Sequence, residues 1–168
     1  MPRTAGVGAY SDAVTSPFDT IAGLPTHVLV VHAVVALVPL LVVCAVLMVA
    51  RIRFSRRFGP LVLAIGFVAV LASIVARLAG EQLALRVGVP ATHQSFGQWV
   101  PWAVVVLYGL VLGFWLADRG IPTNRPRPAW LMALGAVVVF GAVGTMILTV
   151  VAGHTGSVAV WAPVISPT

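Results

Sequence analysis

The sequence predicts an all-α integral membrane four-helix bundle with an up-down-up-down arrangement. The chain of 168 residues is 60% hydrophobic and only 8% charged, and its mean hydropathy is +1.07. These values lie far outside the usual range for a soluble domain. In lipid every backbone amide must be satisfied by a helix or a closed barrel. The apolar runs are long and lack strict alternation, which favours helices.

The chain is predicted to begin with a flexible extracytoplasmic tail over residues 1–24. Ser16 and Pro17 form a turn signal, and no apolar core of signal-peptide length occurs in this part. The transmembrane domain follows over residues 25–161, with its first helix at about 26–50. A helix of this length rises ~1.5 Å per residue and crosses a hydrocarbon core of ~30 Å.

The other three helices are predicted from the remaining apolar runs. Pro60 suits the first turn of the second helix, where its missing N–H costs nothing. Thr92 suits the cap of the third helix. Gly153 and Gly156 are expected to end or loosen the fourth. The helices are therefore predicted over 60–79, 93–117 and 129–152, followed by a C-terminal tail over 162–168.

The arginines set the predicted topology. All ten basic residues are arginines, and seven of them fall in two short gaps between apolar runs, 51–59 and 118–128. This is the pattern of cytoplasmic loops under the positive-inside rule, and it excludes nucleic acid as the partner of the basic residues. Both termini are then extracytoplasmic, and the lipid bilayer is the partner. Cys44 lies within the first apolar run and is expected to pack as a small hydrophobe.

This topology places all four histidines toward the outer half of the membrane. His32 follows His27 by five residues, so it lies about 7 to 8 Å deeper and roughly 140° around the helix axis. The two side chains cannot share one helix face. We expect His32 to point into the bundle and His27 to sit at its mouth, with His93 and His154 entering from the third and fourth helices.

Three interpretations of this histidine cluster fit the sequence. The first is a b-type haem with two axial imidazoles from different helices, chosen among His27, His32, His93 and His154. Its propionates would pair with Arg77 and Arg86. The second is a bare transition metal held by His32, His93, His154 and Glu81. The third is a cofactor-free polar lock, in which the histidines and Glu81 hydrogen-bond between helices.

The sequence carries no signature of a common soluble enzyme. It has no H-E-x-x-H, C-x-x-C or C-x-x-C-H motif and no phosphate-binding glycine loop. A nucleophile and general base at reliable spacing are also absent. The sequence therefore does not indicate a catalytic residue, and a haem- or metal-binding membrane protein or a structural membrane protein is the expected class.

Four sequence blocks, in order, resemble a known family. They are Gly23-Leu24-Pro25-Thr26-His27 running on to His32 and Pro39, Gly80-Glu81-Gln82-Leu83 with Arg86, Thr92-His93, and Gly153-His154-Thr155-Gly156 with Trp161. The chain resembles the family called domain of unknown function twenty-two thirty-one, small bacterial four-helix membrane proteins. Where the family usually has proline after the first histidine, this chain has Val28.

The resemblance implies the fold and a location in the bacterial cytoplasmic (inner) membrane, but no activity. It marks as motif positions His27, His32, Glu81, Arg86, His93, His154 and Trp161. Relatives joined to redox modules imply a membrane redox complex as partner. A homo-oligomer is equally compatible with the small-residue faces of the second and third helices.

Overall fold

The computed structural model describes residues 20–21, 24–88, 91–122 and 124–165. Its longest elements are four helices that are long and apolar enough to cross a membrane, which confirms the predicted fold class. Around the bundle, each spanning helix packs on the next, in the order α1, α2, α4, α5, and α5 packs back on α1. The bounds are α1 Thr26–Ala50, α2 Ile52–Val87, α3 Ala91–Gly97, α4 Val100–Arg119 and α5 Ala129–Ile165.

A short β pair precedes the bundle. Strand β1 (Thr20–Ile21) runs antiparallel to β2 (Leu24–Pro25), with Thr20 opposite Pro25. The remainder of the predicted tail, 1–19 and 22–23, lies outside the described residues. The flexible tail therefore stays a prediction.

Helix α1 has the predicted bounds, whereas α2 begins eight residues earlier than predicted, at Ile52. Only Arg51, in an extended conformation, separates the two helices. The predicted loop 51–59 is therefore wrong. Arg53 and Arg57 are exposed on the outer side of this helical segment, while buried Ser55 faces the end of α4 and hydrogen-bonds to it. Pro60 consequently lies inside α2 and not in its first turn.

The other end of α2 also extends beyond its predicted limit. The helix continues through the expected loop to Val87 and stops at Gly88, whose φ of 75° is a conformation that side-chain-bearing residues rarely adopt. The predicted third helix is divided into α3 and α4 by a turn at residues 98–99. Pro101 lies at the start of α4, where the missing N–H is tolerated.

Helix α5 passes through Gly153 and Gly156 and ends at Ile165, so the predicted end at 152 is wrong. Each glycine costs about 1 kcal/mol relative to alanine in a helix. In lipid, breaking the helix would instead leave backbone groups without hydrogen bonds, which costs several kcal/mol for each group. The hydroxyl of Thr155 also donates to the carbonyls of Val151 and Ala152 in the same turn.

The core runs along the bundle axis and is mostly apolar, with single buried polar side chains such as Ser73, Thr145 and Thr149. Its fully buried members include Val38, Leu41, Leu107, Phe114, Leu131 and Val138. Cys44 is buried among them, as predicted. We call the end where α1 starts the histidine end and the end where α1 meets α2 the arginine end. At the arginine end, a buried polar cluster joins Asp118 of α4 to Ser55 and Arg127.

Candidate histidine site at one end of the bundle

His27 lies in the first turn of α1 and contacts α2. Its Nδ1 is 2.8 Å from the carbonyl oxygen of Ala76. The ring lies against Gly80, one turn further along α2, and a Cβ built on Gly80 would be 2.9 Å from Nδ1. The absence of a side chain at Gly80 therefore lets the imidazole lie directly on the helix backbone.

His93 makes the equivalent contact on the other side of the bundle. It lies on α3, and its Nδ1 is 3.0 Å from the carbonyl oxygen of Ala152 on α5. A Cβ on Gly156 would be 3.0 Å from Cε1 of this ring. Gly156, which the sequence suggested as a helix end, instead provides the space in which His93 packs.

The structure brings these two histidines together. The ring centroids of His27 and His93 are 6.3 Å apart, and the ring planes make an angle of 78°. A carbonyl oxygen only accepts hydrogen bonds, so each Nδ1 carries the proton. In the neutral ring Nε2 then keeps its lone pair. Within the described part of the chain, neither Nε2 has a hydrogen-bond partner.

This arrangement is the one that orients histidine ligands of metals. A ligating histidine almost always donates its other ring N–H to a carbonyl, carboxylate or water, which fixes the tautomer and the ring direction. Metal–nitrogen bonds are about 2 Å long, so two imidazoles on opposite sides of one ion have ring centroids about 6 Å apart. The separation of His27 and His93 matches that distance.

His32 does not point into the bundle, which corrects the expectation from the sequence. Its side chain is exposed, and its Nδ1 hydrogen-bonds to the carbonyl of Val28, 2.6 Å away in the same helix. The reason is the angle of roughly 140° between positions five apart on a helix. Since His27 takes the inward face by bonding to α2, His32 faces outward.

The other predicted site residues lie around the pair without completing a metal site. His154 is exposed and lines a surface cavity of about 260 Å³ with Thr92 and Thr155. Arg77 donates to Glu81 at 2.9 Å, so both predicted partners are engaged with each other. The side chain of Arg86 lies outside what the structure describes.

No group of three His, Cys, Asp or Glu side chains suited to a metal ion occurs among the residues that the structure describes. The set of His32, His93, His154 and Glu81 is therefore not assembled there. Sequence reasoning missed the roles of Gly80, which lies just after the predicted second helix, and of Gly156, which was expected to end or loosen the fourth helix. Each glycine follows the accepting residue, Ala76 or Ala152, by four positions, about one helical turn, but only the structure shows that these two carbonyls accept the bonds.

The fold and this site define a small helical membrane protein with four candidate spans and a histidine pair at one end. The chain belongs to the family described as Predicted membrane protein (DUF2231), whose sequence profile matches residues 23–166. The comparison with curated proteins gives no match, and neither does the comparison with solved structures.

Proposed function

We propose that this protein is a membrane component that ligates one transition-metal centre between His27 and His93. The observation that carries the proposal is the pair of oriented imidazoles, with ring centroids 6.3 Å apart and each Nδ1 fixed by a backbone carbonyl. His27 and His93 would hold such a centre through Nε2, and the centre would be either haem iron or a bare transition-metal ion. In both cases the ligands are the imidazole nitrogens of His27 and His93.

The residues around the pair bear on whether the proposed centre is haem or a bare metal ion. Haem b would supply one-electron redox chemistry, and its propionates would need cationic partners at this end. Arg77 is the described candidate, but it is already paired with Glu81. A bare ion needs no such partner. His32 and His154 are exposed and belong to neither version as primary ligands.

A cofactor-free polar lock is the second candidate, and one specific observation favours it. The bond from His27 joins α1 to α2, and the bond from His93 joins α3 to α5. The two histidines thus connect four helices at this end even without a metal. Interhelical hydrogen bonds of this kind contribute about 0.6 kcal/mol each on average in a membrane protein.

The proposal places the protein in a bacterial cytoplasmic membrane with the histidine end outside, because the opposite end carries most of the arginines. A centre at the outer surface suits exchange of electrons or ions with an extracytoplasmic partner, such as a membrane redox complex. A homo-oligomer is compatible with the same placement.

The test is an optical spectrum of the detergent-purified protein, air-oxidised and then dithionite-reduced, together with metal analysis of the same sample. The protein is expressed with haem and transition metals supplied. We expect either a haem difference spectrum or a bare metal, in each case at about one per chain. The spectrum distinguishes haem from a bare metal ion.

The matched variants are His27→Gln, His93→Gln and His32→Gln. Glutamine retains an N–H donor for the carbonyl but lacks the imidazole ligand. We expect the first two to lose the metal centre while the protein remains folded, and His32→Gln to retain it. A wild-type protein with no stoichiometric haem or metal contradicts ligation. If His27→Gln and His93→Gln then lower the melting temperature and His32→Gln does not, the polar lock is the better conclusion.

A further inference from the structure

The arginine end carries an exposed cationic surface. Among the residues that the structure describes, five arginines at this end are exposed: Arg51, Arg53, Arg57, Arg119 and Arg125. They lie at the junction of α1 and α2, at the end of α4 and in the connection to α5. The other two arginines of this end, Arg56 and Arg127, are partly buried and donate to groups of the protein itself.

The described residues offer no carboxylate to neutralise these five charges. The sequence has four acidic residues in total. Two of them, Asp12 and Asp19, lie outside the described ranges. Glu81 is at the histidine end, paired with Arg77. Asp118 lies at the arginine end, but it has no exposed surface and is engaged by Arg127 and Ser55. The described side chains therefore leave these five charges available to an external anion.

Two of the exposed guanidinium groups are held in place by aromatic rings. Cζ of Arg119 lies 4.5 Å from the ring centroid of Trp115, and Cζ of Arg57 lies 5.4 Å from that of Phe58. Stacking on a ring face leaves the N–H edges of the guanidinium free for an anion, and the planar fork matches two phosphate oxygens. Such arginines lose less conformational freedom on binding a phosphate than free surface arginines do.

The apolar side chains beside these arginines indicate what the anion is attached to. Phe58, Leu61, Leu116 and Trp130 are all exposed at this end of the spanning helices. A phospholipid presents a phosphate and an acyl chain at the same place. Its phosphate can bind the arginines while its acyl chain contacts the apolar side chains. A soluble anion satisfies only the charges.

We infer that the arginine end is a docking surface for anionic phospholipid head groups, with Arg119 on Trp115 and Arg57 on Phe58 as its organised contacts. This inference does not depend on the proposed metal centre, which lies at the opposite end of α1. The expected preference is for phosphatidylglycerol over phosphatidylcholine, because the phosphatidylcholine head group carries no net charge.

The experiment measures which lipids remain on the purified full-length protein. The protein is equilibrated in detergent with equimolar phosphatidylglycerol and phosphatidylcholine of identical acyl chains, repurified, and its bound lipids are quantified. We expect enrichment of phosphatidylglycerol on the wild type. The variant Arg57→Gln/Arg119→Gln should lower that enrichment, by about fivefold for each arginine that contacts a head group.

Arg77→Gln is the matched control, because it removes one positive charge at the histidine end. It is compared with Arg119→Gln alone, and only the latter should lower the enrichment. Equal retention of the two lipids by the wild type overturns the inference, as does an unchanged enrichment in the double variant. Displacement of phosphatidylglycerol by inorganic phosphate at constant ionic strength would show a site for free phosphate instead, and that result also overturns it.

Discussion

Arg127 donates from Nε and Nη2 to the two carboxylate oxygens of Asp118, at 2.8 and 3.0 Å, and Asp118 has no solvent-exposed surface. The same guanidinium donates to the carbonyls of Met48 and Val49 in the last turn of α1. Ser55 of α2 completes the cluster with a bond of 2.6 Å to Asp118. Arg127, in the connection before α5, thereby holds the ends of α1 and α4 together. Ser55 attaches α2 to the same cluster through the carboxylate of Asp118.

Arg127→Gln should destabilise the protein strongly. It leaves a buried carboxylate without its counter-ion, and breaking a buried pair in this way costs about 3 to 5 kcal/mol. The measurement is the free energy of unfolding in mixed detergent and dodecyl sulfate micelles. Arg77→Gln removes the exposed pair with Glu81 and serves as the control, with an expected loss of at most about 1 kcal/mol. Equal losses in the two variants contradict the assignment of Asp118 and Arg127 as the stabilising pair.

Gly59→Ala should also destabilise the protein, because Gly59 lies directly under the indole ring of Trp115. The Cβ would overlap the ring, and overpacking of this kind costs about 1 to 3 kcal/mol. Gly113→Ala is a matched control, since nothing lies within 4 Å of a Cβ built there. In that open position alanine should be neutral or slightly stabilising, through its higher helix propensity. The two melting temperatures, measured in the same detergent, provide the test.

The helical class, the bounds of α1 and the burial of Cys44 were predictable from the sequence, because they follow from hydropathy and length alone. The start of α2 was not. Several arginines close together are typical of a loop, whereas the tertiary bonds of Ser55 and Arg56 to the end of α4 and to Ile121 hold that segment as a helix. Local charge pattern contains no information on those contacts, which join residues far apart in sequence.

The candidate site was predicted in part. The sequence placed the histidines near one end of the bundle, since that requires only helix positions. It did not establish which imidazoles face each other, because this depends on how each helix is rotated about its axis. Gly80 and Gly156 settle that rotation by admitting the rings of His27 and His93. The need for a glycine at a contact becomes visible only once the neighbouring helix is in place.

Cys44 should react with a thiol reagent only when the bundle opens. It is a free thiol with about 9% of its surface exposed, and it lies in the core. Labelling by a maleimide in mild detergent should therefore follow unfolding, and Arg127→Gln should accelerate it. A cysteine introduced at the exposed position Leu85, in a Cys44→Ala background, is the control and should react at once. Rapid labelling of Cys44 in the folded wild type contradicts its buried position.

The orientation of the bundle is the last prediction. The seven arginines in the two gaps at the arginine end predict that this end is cytoplasmic, and α5 then runs to the other side, where it ends at Ile165. Fusion of alkaline phosphatase after residue 168 should give an active enzyme in a bacterial host, because that enzyme matures only outside the cytoplasm, whereas a fusion inserted after Asn124 should be inactive. Replacement of the exposed Arg51, Arg53, Arg57, Arg119 and Arg125 by glutamine should weaken this bias and give mixed orientations. Replacement of Arg77 alone should leave it unchanged. An active fusion at Asn124 together with an inactive one at the C-terminus would place the arginine end outside, and the histidine pair would then face the cytoplasm.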